Sequence, residues 1–318
     1  MSVIKKNDLN KISKNKNSLK DYLSLIRAYS IVDLLLILFL ARTLSIGNID
    51  FSYKDILFGV LYILLWLYLT LDLEAQHKHP YRAQISHKFP YTLLIIATII
   101  SAYYSITSVL FIALIWVSTN LYIRKESSNI VSHTSFLTRG LYEASIFFYG
   151  ISLYVGISGI NLTNILIGLV IFLLYSSRNL VADVRDVAFD KNTFTVRYGS
   201  KNSYLVSLAT IVLAAFILYY LYSSFLVTLP ILVYAIALLF YDNGFSLHRS
   251  AIKLTSFTSA NIILYILFSE PILLVLSNTL FLVVLSDFLF YEATPRKSNP
   301  KQKVNTEVSF LLFRDNRK

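Results

Sequence analysis

The chain has 318 residues, 56% of them hydrophobic and 15% charged, a composition that excludes an ordinary soluble domain and marks a polytopic membrane protein. Cysteine is absent, which excludes disulfides, thiolate metal sites and a cysteine nucleophile. The formal net charge is +11, and its placement decides whether it serves nucleic acid or a membrane surface.

Residues 1–27 are polar and basic, with Lys5, Lys6, Lys11, Lys14, Lys16, Lys20 and Arg27. They read as a cytoplasmic arm resting on anionic lipid. A lysine-rich start followed by an apolar run long enough to span predicts no cleavable signal peptide. Apolar runs follow at 28–45, 54–71, 90–106, 108–123, 140–157, 162–181, 203–222, 225–241, 254–269 and 272–291, most of them near the ~20 residues that a span requires. They predict an all-α transmembrane bundle of nine to ten spans over 28–292. A basic tail over 293–318 follows, and its VSFLLF segment is too short to span.

Of the 29 Lys and Arg residues, all but Arg42 and Lys54 lie in the arm, the tail and the connections 72–89, 124–139, 178–201 and 242–253. Positive-inside bias then places both termini and these connections in the cytoplasm, with the protein in the cell membrane and its site facing inward. Charge distributed this way argues for lipid and an anionic ligand and against nucleic acid.

The second run ends in LDLEAQHKHPYRAQISHKFP, which carries Asp72, Glu74, His77, His79, Arg82 and His87. On a helix Asp72 and Glu74 diverge by roughly 200° and cannot both face one metal. The histidine spacing fits no helical metal pair and reads as interfacial. Further along, Arg139 and Glu143 stand i, i+4 at the start of the fifth run, most simply an interfacial ion pair. Asn120, Asn261 and Asp287 are isolated polar residues within runs, suited to hydrogen bonds between helices.

The stretch NLVADVRDVAFDKNTFTVRYG, Asn179 to Gly199, carries the chemistry. Asp183, Asp186 and Asp190 are spaced i, i+3, i+7 and fall within roughly 60° of one helix face together with Asn179, while Arg185 points elsewhere. Three acids on one face repel unless a cation sits among them, and oxygen-only ligands suit Mg²⁺ held by one or two carboxylates and substrate phosphates. The competing reading is a solvated helix end.

These residues resemble the UbiA superfamily of intramembrane prenyltransferases, whose members carry an Asp-rich motif after the second span (NDxxDxxxD, then Pro-x-Arg-Pro) and another after the sixth. ADVRDVAFD followed by TFTVRYG is similar to the menaquinone-type branch, NNVRDxxxD ending in TLAVRLG. By position, the resemblance makes Asp186 and Asp190 the paired Mg²⁺-diphosphate ligands, with Asp183 where the family has Asn or Asp. Thr193 or Thr195, Val196 and Gly199 match the ending. LYIRK, Leu121 to Lys125, resembles the Tyr-x-x-x-Lys end of the fourth span but is one residue shorter, and it would bring Tyr122 and Lys125 to the diphosphate. Pro80 to Arg82 aligns with the Pro-x-Arg turn, which puts Leu71 and Ala75 at the family's acidic positions and leaves Asp72 and Glu74 one residue off register. The segment after Asp190 is about four residues shorter than the family pattern.

The resemblance implies transfer of a polyprenyl group from its diphosphate to a membrane-accessible acceptor, aromatic or lipid-like. In that reading Mg²⁺ lies on Asp186 and Asp190 with Asp183, Asp72 or Glu74. Arg82, Lys125 and Arg197 neutralise the leaving diphosphate, Asn179 lines the site, and Arg139 contributes to acceptor binding. The alternative is a degenerate relative that binds isoprenoid or phospholipid without turnover. A transporter is a third reading, disfavoured by charges that fall at the span ends.

Overall fold

Runs of Leu, Ile, Val and Phe leave nothing but backbone to satisfy the backbone in a lipid environment, so they fold as helices. All ten apolar runs do so in the computed structural model, which describes residues 29–77, 88–124, 129–188, 190–241 and 243–291. Among these residues every regular element is helical. The order is α1 (Tyr29–Ile46), α2 (Tyr53–His77), α3 (Lys88–Tyr104), α4 (Ser108–Ile123), a short α5 (Asn129–His133), α6 (Ser135–Val155), α7 (Leu162–Asp186), α8 (Phe194–Tyr222), α9 (Phe225–Phe240), α10 (Gly244–Phe268) and α11 (Pro271–Ser286). A π-helical turn, Asp287–Tyr291, follows.

Five segments, Tyr53–Asp72, Leu162–Asp186, Phe194–Tyr222, Gly244–Phe268 and Pro271–Phe290, are long and apolar enough to cross a membrane. Three helices begin earlier than the apolar runs predict, because polar residues form their opening turns: α6 at Ser135, α8 at Phe194 and α10 at Gly244. The TVRYG ending is therefore the first turn of α8, bent at Gly199, where φ is 83°. Only glycine adopts that left-handed value at no steric cost.

Local signals set the helix ends. Asn161 caps α7 by accepting from the Asn164 N–H at 2.9 Å, and Asn243 caps α10 by accepting from Phe245 at 3.0 Å. Ser223 and Ser269 close α8 and α10 in the left-handed region.

Successive helices pack against one another, and α10 returns onto α1 to close the circuit. Inside it, α1, α6, α7 and α10 form a ring of four, each touching the next. Gly140 sets the α6–α7 approach, since a Cβ there would collide with the Phe172 carbonyl and the Ser176 hydroxyl. Within α9, Pro230 lacks the N–H that would bond the Leu226 carbonyl one turn back. Asn278 of α11 and Asn261 of α10 supply it instead, at 2.9 and 3.3 Å, and bond each other at 2.9 Å. Asn261 thus has the interhelical role that its isolation predicts.

Connections alternate between two ends. The last turns of α2, α4, α7 and α9 and the first turns of α3, α6, α8 and α10 share one end with the Asp183–Asp186 stretch, here the motif end. The α1–α2 turn lies at the other.

Candidate functional site

At the motif end, Ser135 gathers three elements. As the first residue of α6, its carbonyl accepts from Asn179 Nδ2 at 3.1 Å, its hydroxyl donates to Asp183 Oδ2 at 3.4 Å, and the same hydroxyl accepts from the Phe194 N–H at 3.1 Å. Asn179 and Asp183 of α7 and the start of α8 are thereby tied to α6. Asn179 and Asp183 are both buried.

The three acids do not share a helix face. α7 ends at Asp186, so Asp190 lies beyond it, placed by a single further turn in which its N–H donates to the Asp186 carbonyl at 3.0 Å. The i, i+7 projection requires a helix that continues to Asp190, and α7 ends one turn short of it. Arg185 also departs from its projected direction. Its Nε donates to Asp186 Oδ1 at 2.8 Å and its Nη2 bonds Asp186 Oδ2. Nη1 of the same residue lies 2.9 Å from His248 Nδ1 on α10.

Of the remaining predicted residues, Asp72 is completely buried on α2, and that helix is continuous over Tyr53–His77 with no rewinding. Tyr122, near the end of α4, has its ring 5.9 Å from the Arg139 guanidinium. Arg197 sits on the exposed first turn of α8, donating to Asn192 Oδ1 at 2.7 Å and pairing with His133 Nε2 at 3.1 Å, while Tyr198 holds the other His133 nitrogen at 2.6 Å. Arg82, Lys125 and the side chain of Glu74 lie outside the described residues, as do His79 and His87.

Among the described residues, no three His, Asp or Glu side chains lie close enough together to hold a metal ion. The donor set is still one for a hard cation. It is oxygen only, and Mg²⁺ takes one or two carboxylates and fills its remaining positions with water and phosphate. The residues present fit that kind of ion and not one caged by protein alone.

A second polar layer lies deeper. Glu143 stands eight residues into α6 and Arg178 eight before the end of α7, so each is about 12 Å from the motif end of its helix. Arg139 is ion-paired with Glu143, and their side chains are 12% and 3% exposed. The pair is interior, not interfacial, because α6 starts five residues before its apolar run and turns this face onto aromatic neighbours. The Arg139 guanidinium lies 5.3 Å from the Trp66 ring and 5.1 Å from that of Tyr142. Arg178 faces Asp33 of α1 at 3.9 Å and stacks on Tyr175 at 5.3 Å. Ser256 of α10 donates to Asp33 Oδ1.

Every helix of the inner ring thus contributes to one buried cluster. Two of its hydrogen-bonding groups are unmet: Asp33 Oδ2 is buried without a hydrogen-bond partner, and among the described residues Arg178 makes no hydrogen bond. Asp33, Arg178 and Ser256 escaped the sequence reading. An acid alone in the apolar run YSIVDLLL was the available signal. These interior charges also overturn the placement of charge at span ends alone.

No family model and no curated protein matches the chain in sequence. In structure it is similar to a digeranylgeranylglyceryl phosphate synthase, with a TM-score of 0.52, 19% identity, and coverage of 84% of this chain and 98% of that one. It is also similar to a UbiA homolog from Archaeoglobus fulgidus, with a TM-score of 0.50, 16% identity, and coverage of 84% and 99%. These likenesses establish the fold, an all-helical bundle of the UbiA type, and the five long apolar helices support an integral membrane protein.

Proposed function

We propose that the protein is a UbiA-superfamily intramembrane prenyltransferase, moving a polyprenyl group from a prenyl diphosphate to a membrane-accessible acceptor. The observation that carries this reading is the shared fold with the DVRDVAFD and TVRYG segments brought to one end of the bundle, tied together through Ser135.

In this reading Asp186 and Asp190 would hold Mg²⁺ with Asp183, Asp72 or Glu74, and the bound ion would supply the positive charge that a leaving diphosphate requires. Arg82, Lys125 and Arg197 add positive charge around the diphosphate, and Tyr122 donates to it. Asn179 and Ser135 keep Asp183 oriented. The prenyl tail lies among apolar helices, where water is excluded from the reacting carbon. The deeper cluster of Arg139, Glu143, Arg178 and Asp33 orients the polar head of the acceptor. Residues 28–292 form this catalytic bundle, between a basic arm and a basic tail. The site faces the cytoplasm of the cell membrane.

The test is diphosphate release from radiolabelled geranylgeranyl diphosphate by detergent-purified protein, with Mg²⁺ and candidate acceptors. Release that EDTA stops and Asp186→Ala abolishes supports the enzyme.

A second reading, a relative that binds isoprenoid or phospholipid without turnover, is favoured by the unbroken α2 helix, which keeps Leu71 and Ala75 at the family's acidic positions. Binding of the labelled diphosphate with no release in any acceptor would establish it.

A further inference from the structure

Neighbouring residues on a helix project about 100° apart and do not ordinarily meet. Arg185 nevertheless closes a two-point fork on both oxygens of Asp186, one bond at 2.8 Å through Nε and the other through Nη2. A different helix holds the arm in that posture. Nη1 reaches His248 Nδ1 at 2.9 Å, and the guanidinium lies 6.0 Å from the Phe245 ring. α10 approaches this closely because residue 244 is glycine, where a Cβ would sit 3.3 Å from the backbone N and Cα of Arg185. The Asn243 cap fixes where α10 begins. Two helices therefore build the fork.

We propose that Arg185 is a displaceable arm: it occupies Asp186 until a metal-bound diphosphate arrives, then turns its guanidinium onto the diphosphate oxygens. The inference rests on the metal-diphosphate reading of this site. A guanidinium gripping both oxygens occupies one edge of the carboxylate and offsets its negative charge, so a cation binds there more weakly until the grip loosens. Arginine stays protonated at any physiological pH, so the grip is released by displacement and not by proton loss. The same planar fork matches a phosphate, which makes a nearby diphosphate the natural second partner. The Arg185 and Asp186 side chains are 26% and 37% exposed, so the contact is weak enough to exchange. Arg185 is in this sense a positioning residue: it sets when Asp186 becomes available.

The experiment measures Mn²⁺ binding to the full-length protein in detergent by the electron paramagnetic resonance of free Mn²⁺, with and without inorganic pyrophosphate. Without pyrophosphate, Arg185→Gln binds Mn²⁺ about fivefold more tightly than wild type, since the competing cation is gone. With pyrophosphate the order reverses, because wild type alone adds a guanidinium to the bound anion. Arg185→Lys, which keeps the charge and loses the fork, falls between the two and carries the same test should the glutamine variant lose its helical circular dichroism. Equal or weaker Mn²⁺ binding by Arg185→Gln without pyrophosphate overturns the arm, as does a gain that pyrophosphate leaves unchanged. No Mn²⁺ uptake by either protein in the presence of pyrophosphate overturns the arm and the metal-diphosphate reading together, whereas identical uptake by both overturns the arm alone.

Discussion

Two arginines, Arg42 buried and Arg178 partly buried, sit toward opposite ends of the bundle, and each faces an aspartate. At the α1–α2 turn, Arg42 donates through Nε to Asp55 at 2.7 Å, through Nη1 to the Asn48 carbonyl at 2.5 Å, and through Nη2 to the Asp50 carbonyl and the Asn48 side chain. Asp55 in turn accepts from the Tyr154 hydroxyl at 2.7 Å and from both the backbone and the hydroxyl of Ser52, at 2.7 and 3.0 Å. The cluster is closed on itself and ties α1, α2 and α6 around a capping turn. Arg178 has 3.9 Å to Asp33 and a tyrosine face, and the aspartate keeps one oxygen unmet. Buried polar groups in native proteins are normally satisfied. The contrast teaches that the Arg42 cluster is hydrogen-bonded for stability, while Arg178 and Asp33 leave hydrogen-bonding capacity unused.

The same conservative change at both ends tests that contrast. Arg42→Lys keeps the charge but supplies a single point in place of a planar fork, so two or more of its carbonyl and carboxylate bonds are lost. A cost of about 2–4 kcal/mol is expected, read as a lowered unfolding midpoint in detergent without any ligand. A shift inside experimental error would mean that the α1–α2 cluster is not what holds this end.

Arg178→Lys has no hydrogen bond to lose within the described protein. Its unfolding midpoint should stay at wild type. Transfer to the acceptor should instead fall about tenfold or more in kcat/KM, carried by acceptor KM, the size expected for one charge-assisted hydrogen bond. If stability falls as far as in Arg42→Lys while transfer is untouched, the two networks are equivalent and the inner ring has no unused capacity.

The difference between the ends was only partly legible in the sequence. The ten helices were, because long apolar runs admit few other folds in lipid, and Asn261 was read correctly from its isolation. The spacing of Asp183, Asp186 and Asp190 assumes one continuous helix, whereas α7 stops at Asp186, because periodicity alone gives no helix end. Asp33, Arg178 and the interior position of Glu143 were missed for a different reason. A helix with apolar residues on every face carries no stripe to say which side meets its neighbours. Arg178 was therefore counted as a loop charge, although Gly140 and the α6–α7 approach bring it into the ring.

A third network calibrates the other two, because it carries no charge. Asn278 and Asn261 both donate to the Leu226 carbonyl, the group that Pro230 leaves without an in-helix partner. Asn278→Leu keeps the branched shape but removes two bonds, the one to the Leu226 carbonyl and the one accepted from Asn261, so a cost of about 1.2–3.4 kcal/mol is expected, twice the range for one interhelical hydrogen bond in a membrane protein. Pro230→Ala restores an N–H at position 230, which can bond Leu226 within α9 and make the asparagines redundant there. In that background Asn278→Leu should lose only the bond from Asn261 and cost about 0.6–1.7 kcal/mol, and the difference between the two costs, taken from unfolding in mixed micelles, is the coupling of the asparagine to that single carbonyl. Equal costs in both backgrounds would show that the asparagines bind each other and not the carbonyl. A satisfied polar contact in this bundle would then be worth less than the Arg42 cluster requires.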